Sequence, residues 1–239
     1  MSKGSRLPVT IDSLLGRNRA WSSRMQAADS EFFRRLAHQQ SPQLLWIGCS
    51  DSRVAANQIL DLAPGEVFTQ RNVANVVASG DLNCQSVIQF AVDVLKVRHV
   101  MVVGHYGCSG ILAAVEGLRL GLVDNWLGHV GAVYARHRRS LMTLPIADRE
   151  DRLCELNVAE QFQNVCQSHV VRDAWAREQS LSVHGWVYGL QDGLLSELGL
   201  SASNSNAADS AYQAALDRMS NLQVKVRQHS VDDRCTVQK

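Results

Sequence analysis

The chain reads as an α/β protein: a mostly parallel central sheet flanked by helices, with an N-terminal helical arm for subunit pairing. Three observations predict it. Residues 44–47 and 100–103 are short apolar runs of strand length, each followed by a polar turn and then a stretch that can become a helix. The order after residue 43 is strand, helix, strand, helix, which implies parallel strands with helices packed on them. Residues 11–40, ahead of the first strand, carry helical pattern.

The elements follow in order. In the arm, Ile11, Leu14, Leu15 and Met25 give apolar faces, Ser30-Glu31-Phe32-Phe33 restarts the pattern, and Pro42 closes it. Lying outside the sheet, this arm is expected to pack on another subunit. Strand one covers residues 44–48. A short helix over 54–61 is ended by Ala63-Pro64-Gly65, and strand two covers 66–71. Residues 83–96 form the clearest helix, because Cys84, Val87, Ile88, Ala91, Val92 and Leu95 fall on one face and Asp81 can cap it. Strand three covers 99–104, and a helix runs from Ser109 to Glu116. Further helices occupy 124–140 and 149–179, divided near Pro145, and 182–188 alternates as a strand. Residues 201–208, rich in Ser, Asn and Ala, read as a loop before a weak last helix and a tail. The expected organisation is one domain in three stretches: the arm at 1–42, the α/β body at 43–200, and a C-terminal helix and tail at 201–239.

The 239 residues, 46% hydrophobic and 20% charged, suffice for one large core. A net charge of +1 gives no electrostatic case for nucleic acid or an anionic membrane. No apolar run approaches the ~20 residues of a membrane span, and Met1-Ser2-Lys3-Gly4 lacks an apolar signal core. A cytoplasmic protein is expected, so six cysteines point away from a disulfide framework and toward metal binding, catalysis or burial.

Two segments stand just past the apolar strands: Cys49-Ser50-Asp51-Ser52-Arg53 and His105-Tyr106-Gly107-Cys108. Ligands of open α/β sheets bind at the carboxyl ends of strands. Cys49, His105 and Cys108 can therefore meet in one crevice as a soft, three-ligand site for Zn²⁺ with a fourth position to fill. Two thiolates neutralise the ion, and Asp51 is placed to accept a hydrogen bond from a zinc-bound hydroxide or to swing in as a fourth ligand. Arg53 can hold Asp51 off the metal through a two-pronged contact. The bland alternative, a cap carboxylate beside a surface arginine, fails to explain Cys49. By contrast Cys84, Cys154 and Cys166 sit in helical pattern and read as buried, Cys235 lies in the tail, and His129 and His184 read as packing or surface residues.

These segments resemble the signature of the β-class carbonic anhydrases. The similarity continues through Arg71-Asn72-Val73-Ala74-Asn75, Cys154-Glu155-Leu156-Asn157-Val158 and His184-Gly185-Trp186-Val187-Tyr188-Gly189, covering roughly residues 10 to 200. The resemblance implies a zinc lyase that hydrates CO₂ reversibly to bicarbonate and a proton by zinc-bound hydroxide. Cys49, His105 and Cys108 would be its ligands, and Asp51 and Arg53 its catalytic dyad. It also implies a homodimer or a homotetramer made of two dimers. Family members often carry Gly after the second Cys ligand, where this chain has Ser109. Trp46, Arg71 and Tyr188 are similar to the bicarbonate-binding trio of the allosteric bacterial subgroup, which implies inhibition by bicarbonate at a non-catalytic site.

Other readings are weaker. Gly104-x-x-Gly107-x-x-Gly110 follows a strand as a phosphate loop would, but its spacing is wrong and it leaves His105 and Cys108 unexplained. A structural or redox zinc protein predicts metal without turnover. The same fold acting on CS₂ or COS would differ in pocket shape and channel access.

Overall fold

The structure is a computed structural model and describes residues 10–38, 41–51 and 53–221. The chain divides into two compact units, Met1–Ser41 and Pro42–Lys239. The first holds α1 (Ile11–Ala28) and α2 (Phe32–His38). The break between them is made by Asp29, whose carboxylate accepts the Glu31 N–H at 3.0 Å and an Arg35 N–H at 3.2 Å. Trp21 and Phe32 both meet the ring of Phe33 edge-on. No residue of α1 is buried, and Ile11 and Leu15 are 79% and 66% exposed.

The second unit is built on five strands: β1 (Leu44–Cys49), β2 (Val67–Asn72), β3 (His99–His105), β4 (Ser182–Tyr188) and β5 (Leu195–Ala202). Their spatial order is β2-β1-β3-β4-β5, parallel except for β5, which pairs antiparallel with β4. Connecting the first four are α3 (Ala56–Ile59), α4 (Leu82–Gln89), α5 (Ser109–Glu116), α6 (Val123–Arg136), α7 (Arg138–Met142), α8 (Ile146–Gln167) and α9 (His169–Ala176), and α10 (Ser205–Asn221) follows β5. Among the described residues no helix is long and apolar enough to cross a membrane.

Strand alternation sorts the sheet into two unequal faces. Leu45, Ile47, Val100, Val102, Val183 and Val187 point into the main core with the buried faces of the long helices. Trp46, Met101 and Val103 point the other way, into a smaller cluster with Val54 and Ala56. The central packer of the main core is α8. An added Cβ on Gly104 of β3 would stand 2.6 Å from Val158, and one on Gly185 of β4 would stand 3.2 Å from it. Two strand glycines thus let the fully buried Val158 seat against bare backbone, a burial that contributes about 1.5–3 kcal/mol.

Several elements differ from the sequence expectation. The helix expected over 83–96 is α-helical only to Gln89, then widens into a single π turn over Phe90–Val94, and Lys96 turns it off at φ 55°. The stretch 149–179 is cut at Ser168, whose hydroxyl caps α9 by accepting the Val171 N–H. The helix expected over 54–61 shrinks to α3. The loop expected at 201–208 is instead the end of β5 and the start of α10. Cys235 lies outside the described residues.

Candidate active site

In a sheet of order β2-β1-β3, the connections leaving β1 and β3 run in opposite directions and open a crevice at their carboxyl ends. Cys49 is the last residue of β1 and His105 the last of β3. Cys108 stands just ahead of α5, brought back by Gly107, whose φ of +69° is a left-handed turn that glycine adopts without strain. The Cys49 and Cys108 Sγ atoms are 3.8 Å apart, and one donor atom from each of Cys49, His105 and Cys108 falls within 4.8 Å of the others. All three side chains are buried, His105 to 1% exposure.

The donor chemistry fits a metal ion. His105 Nδ1 lies 3.1 Å from the Tyr106 carbonyl oxygen. A carbonyl only accepts, so Nδ1 carries the proton and Nε2 presents its lone pair. That Nε2 is buried without a partner, a costly state that a cation relieves. The hydrogen bond between the two thiols holds Cys49 below the ordinary thiol range and pushes Cys108 above it, with burial adding to the rise. Sulfur binds a metal as thiolate, so a cation between them would displace the protons the pair holds. Two sulfurs and one imidazole suit zinc.

Beside the donors, Arg53 grips Asp51. Its Nε lies 3.0 and 3.1 Å from the two carboxylate oxygens, a terminal nitrogen lies 2.5 Å from Oδ2, and its backbone N–H reaches Oδ1 at 3.0 Å. These bonds hold the Asp51 carboxyl down at about 2 against its partial burial. Asp51 Oδ2 is 3.9 Å from His105 Nε2, at the rim of the donor cluster. Arg71 fastens the same segment from β2: its guanidinium donates to the carbonyls of Cys49 at 2.8 Å, Asp51 at 3.2 Å, and Val54.

Trp46, Arg71 and Tyr188 occupy one face of the sheet by strand alternation and register. Trp46 is fully buried, and its indole Nε1 has no partner. The indole lies over Gly48, where an added Cβ would stand 2.4 Å from Nε1, and Gly48 aligns with Arg71 on β2. Tyr188 packs against the cluster of Trp46, Met101 and Val103, and its carbonyl accepts the Tyr106 N–H at 3.1 Å.

Sequence reasoning named residues 71–75 and 154–158 only as family likeness and missed how their groups hold the site in place. The Ala74 N–H points at Cys49 Sγ, 3.4 Å away. Ala74 and Asn75 both have left-handed backbone, at φ 64° and 46°. Their turn is held by amides on α8: Asn157 donates to the Ala74 carbonyl at 2.9 Å, and Gln161 accepts the Val77 N–H at 2.8 Å. The Cys154 thiol donates to the His105 carbonyl at 3.2 Å, and Tyr106 donates to Glu155 at 2.8 Å. The available signal was the spacing of Asn157, Gln161 and Asn164, a polar stripe at helical period beside the apolar face of Leu153, Val158 and Phe162. Cys84, Cys154 and Cys166 are buried as expected, and burial raises the thiol of Cys84 to about 12. His129 is exposed edge-on to Trp126, and His184 sits between the hydroxyls of Ser182 and Ser201.

Known proteins share both sequence and fold. Residues 44–195 match the carbonic anhydrase family. A carbonic anhydrase of Emericella nidulans is 46% identical over 195 residues, covering 81% of this chain and 86% of that protein. One of Saccharomyces cerevisiae is 34% identical over 194 residues, covering 77% and 87%. Among solved structures, a Coccomyxa β-carbonic anhydrase in complex with acetazolamide superposes with a TM-score of 0.79 at 38% identity, covering 90% of this chain and all of that one. A tetrameric β-carbonic anhydrase of Sordaria macrospora gives 0.76 at 37% identity, covering 80% and 98%. A family match over most of the α/β unit, close relatives along most of its length and a shared fold establish that this chain belongs to the β-class carbonic anhydrase family.

Proposed function

We propose that this enzyme hydrates CO₂ reversibly through zinc held by Cys49, His105 and Cys108, with Asp51 and Arg53 as its catalytic pair. The observation that carries the reading is the buried, unpartnered His105 Nε2 converging with two thiols. Bound there, zinc supplies the Lewis acidity that makes water a nucleophile near neutral pH. Asp51, ionised throughout that range, accepts a hydrogen bond from the attacking water and orients its lone pair toward CO₂. Arg53 keeps the carboxylate at the rim; without that grip Asp51 would turn inward as a fourth ligand and close the site.

Inhibition by bicarbonate at Trp46, Arg71 and Tyr188 belongs to the same proposal. The unpartnered Trp46 N–H supports it, since a buried donor is best satisfied by an acceptor. The coupling route is Arg71: an anion on its guanidinium competes with the carbonyls of Cys49, Asp51 and Val54 and so loosens the segment carrying the dyad. Pairing of subunits through the helical arm, as a dimer or tetramer, completes the reading.

Stopped-flow CO₂ hydration on zinc-quantified protein, from about pH 6.5 to 9 with and without bicarbonate, is the test. Turnover rising with pH and suppressed by bicarbonate at the acid end supports both parts. Turnover indifferent to bicarbonate removes the regulatory trio. Zinc-loaded protein without turnover at any pH makes the site structural or assigns it another substrate, with CS₂ and COS tested next.

A further inference from the structure

Asn157 is fully buried, yet it is an amide in the middle of α8. Every polar atom of its side chain has a use. Nδ2 donates to the Ala74 carbonyl at 2.9 Å, and Oδ1 accepts from Gln161 Nε2 at 3.0 Å. Gln161, itself 2% exposed, accepts the Val77 N–H at 2.8 Å and an Asn164 N–H at 3.1 Å. Asn164 also donates to the Val77 carbonyl at 3.0 Å. Three side chains on one stripe of α8 thus take hold of both ends of residues 74–77.

What they hold is strained. Ala74 adopts φ 64° with ψ 29°, a left-handed conformation that an L-residue with a Cβ disfavours. Such a backbone persists only where its surroundings impose it. Its product is one directed group: the Ala74 N–H aimed at Cys49 Sγ. A hydrogen bond to a thiolate withdraws charge from sulfur and fixes its direction, and groups that orient a metal ligand in this way set how tightly and in what geometry the ion is held.

We infer that Asn157, supported by Gln161, is a positioning residue for the metal centre: it clamps the Ala74–Asn75 turn in its left-handed form so that the Ala74 N–H steers and tempers the Cys49 ligand. The inference rests on the zinc assignment proposed above. It assigns a metal-centre role to a helix that supplies no ligand.

The test uses the full chain with zinc and, separately, with cobalt(II), whose thiolate charge-transfer absorption reports directly on the sulfur ligands. Asn157→Asp keeps the acceptor for Gln161 and removes the donor to Ala74. Its expected signature is a shifted charge-transfer band and zinc release to a chelator about tenfold faster or more, with the native circular dichroism retained. Gln161→Leu, which leaves Asn157 in place but unsupported, gives the same change in smaller measure and serves if the first variant fails to fold. The decisive arm is rescue. Glycine takes φ > 0 without a clamp, so Ala74→Gly placed on either variant restores the band and slows zinc release. Folded Asn157→Asp with the wild-type band and release rate overturns the inference. So does a defect that Ala74→Gly leaves untouched, because loss of packing alone is not repaired by a backbone change. Failure of cobalt or zinc to bind the wild-type chain would instead remove the zinc assignment beneath it.

Discussion

At the scale of single residues, the proposed site divides into groups that would bind the metal and groups that would act on the substrate. Cys108 offers a sulfur 3.8 Å from that of Cys49, whereas Asp51 stands at the rim and is held by Arg53. Substitutions therefore split. Cys108→Ser is expected to lose stoichiometric zinc. Asp51→Asn is expected to keep zinc and lose about 100-fold or more in kcat. Metal analysis alongside stopped-flow rates checks both, and zinc retained in Cys108→Ser removes that residue from the ligand set. Cys49, His105, Cys108, Asp51 and Arg53 were legible because their types are chemically unusual just past apolar strands. Asn157 and Gln161 were not, because a polar residue in a helix ordinarily faces solvent and only the fold reveals that theirs face inward.

At the scale of elements, two contacts decide how the helices sit. Val158 of α8 occupies the space left by Gly104 of β3. Gly104→Ala forces Cβ against Val158 and the Cys154 thiol and is expected to cost about 1–3 kcal/mol, read as a lowered denaturant midpoint with unchanged slope. The second contact is Glu160 of α8, which accepts hydrogen bonds from Arg136 of α6 and Tyr212 of α10 and lies 3.3 Å from His137 Nε2. Burial alone would raise its carboxyl, but the bonds from His137, Arg136 and Tyr212 prevail and hold it at about 2. A carboxyl lowered from its ordinary 4.5 stabilises the fold above that value and loses the contribution as pH falls toward 2. Glu160→Gln is accordingly expected to lower Tm at pH 7 and to flatten its decline between about pH 4.5 and 2; a parallel decline in both proteins would exclude Glu160 as its source. Elements were legible where pattern was dense. β1, β3 and α5 fall close to their expected bounds because apolar runs end in polar turns there. β5 escaped notice because Leu195-Ser196-Glu197-Leu198-Gly199-Leu200-Ser201-Ala202 has no β-branched residue and bends at Gly199, φ 66°. The π turn after Gln89 is equally silent, since its apolar spacing fits an unbroken helix.

At the scale of the whole molecule, α1 carries Ile11, Leu14, Leu15 and Trp21 with none of them buried. Beyond the Trp21–Phe33 contact with α2, such a helix gains stability from an apolar partner that covers these side chains. If that partner is a second subunit, Leu15→Glu weakens association, seen as a shift toward smaller species in sedimentation velocity, while an unchanged profile would place the pairing surface elsewhere. A last consequence concerns the order of events during folding. Cys49 and Cys108 are 59 positions apart in the chain and become neighbours only when β1 and β3 lie side by side in register. Before that, the coil presents scattered thiols, and bringing their two ends together carries the entropy of a long closure. A metal held there, as proposed, would join two strand ends that only the assembled sheet brings together. On that reading its retention gauges the architecture, and a lesion far from Cys49, His105 and Cys108 that loosens the sheet is expected to speed zinc release.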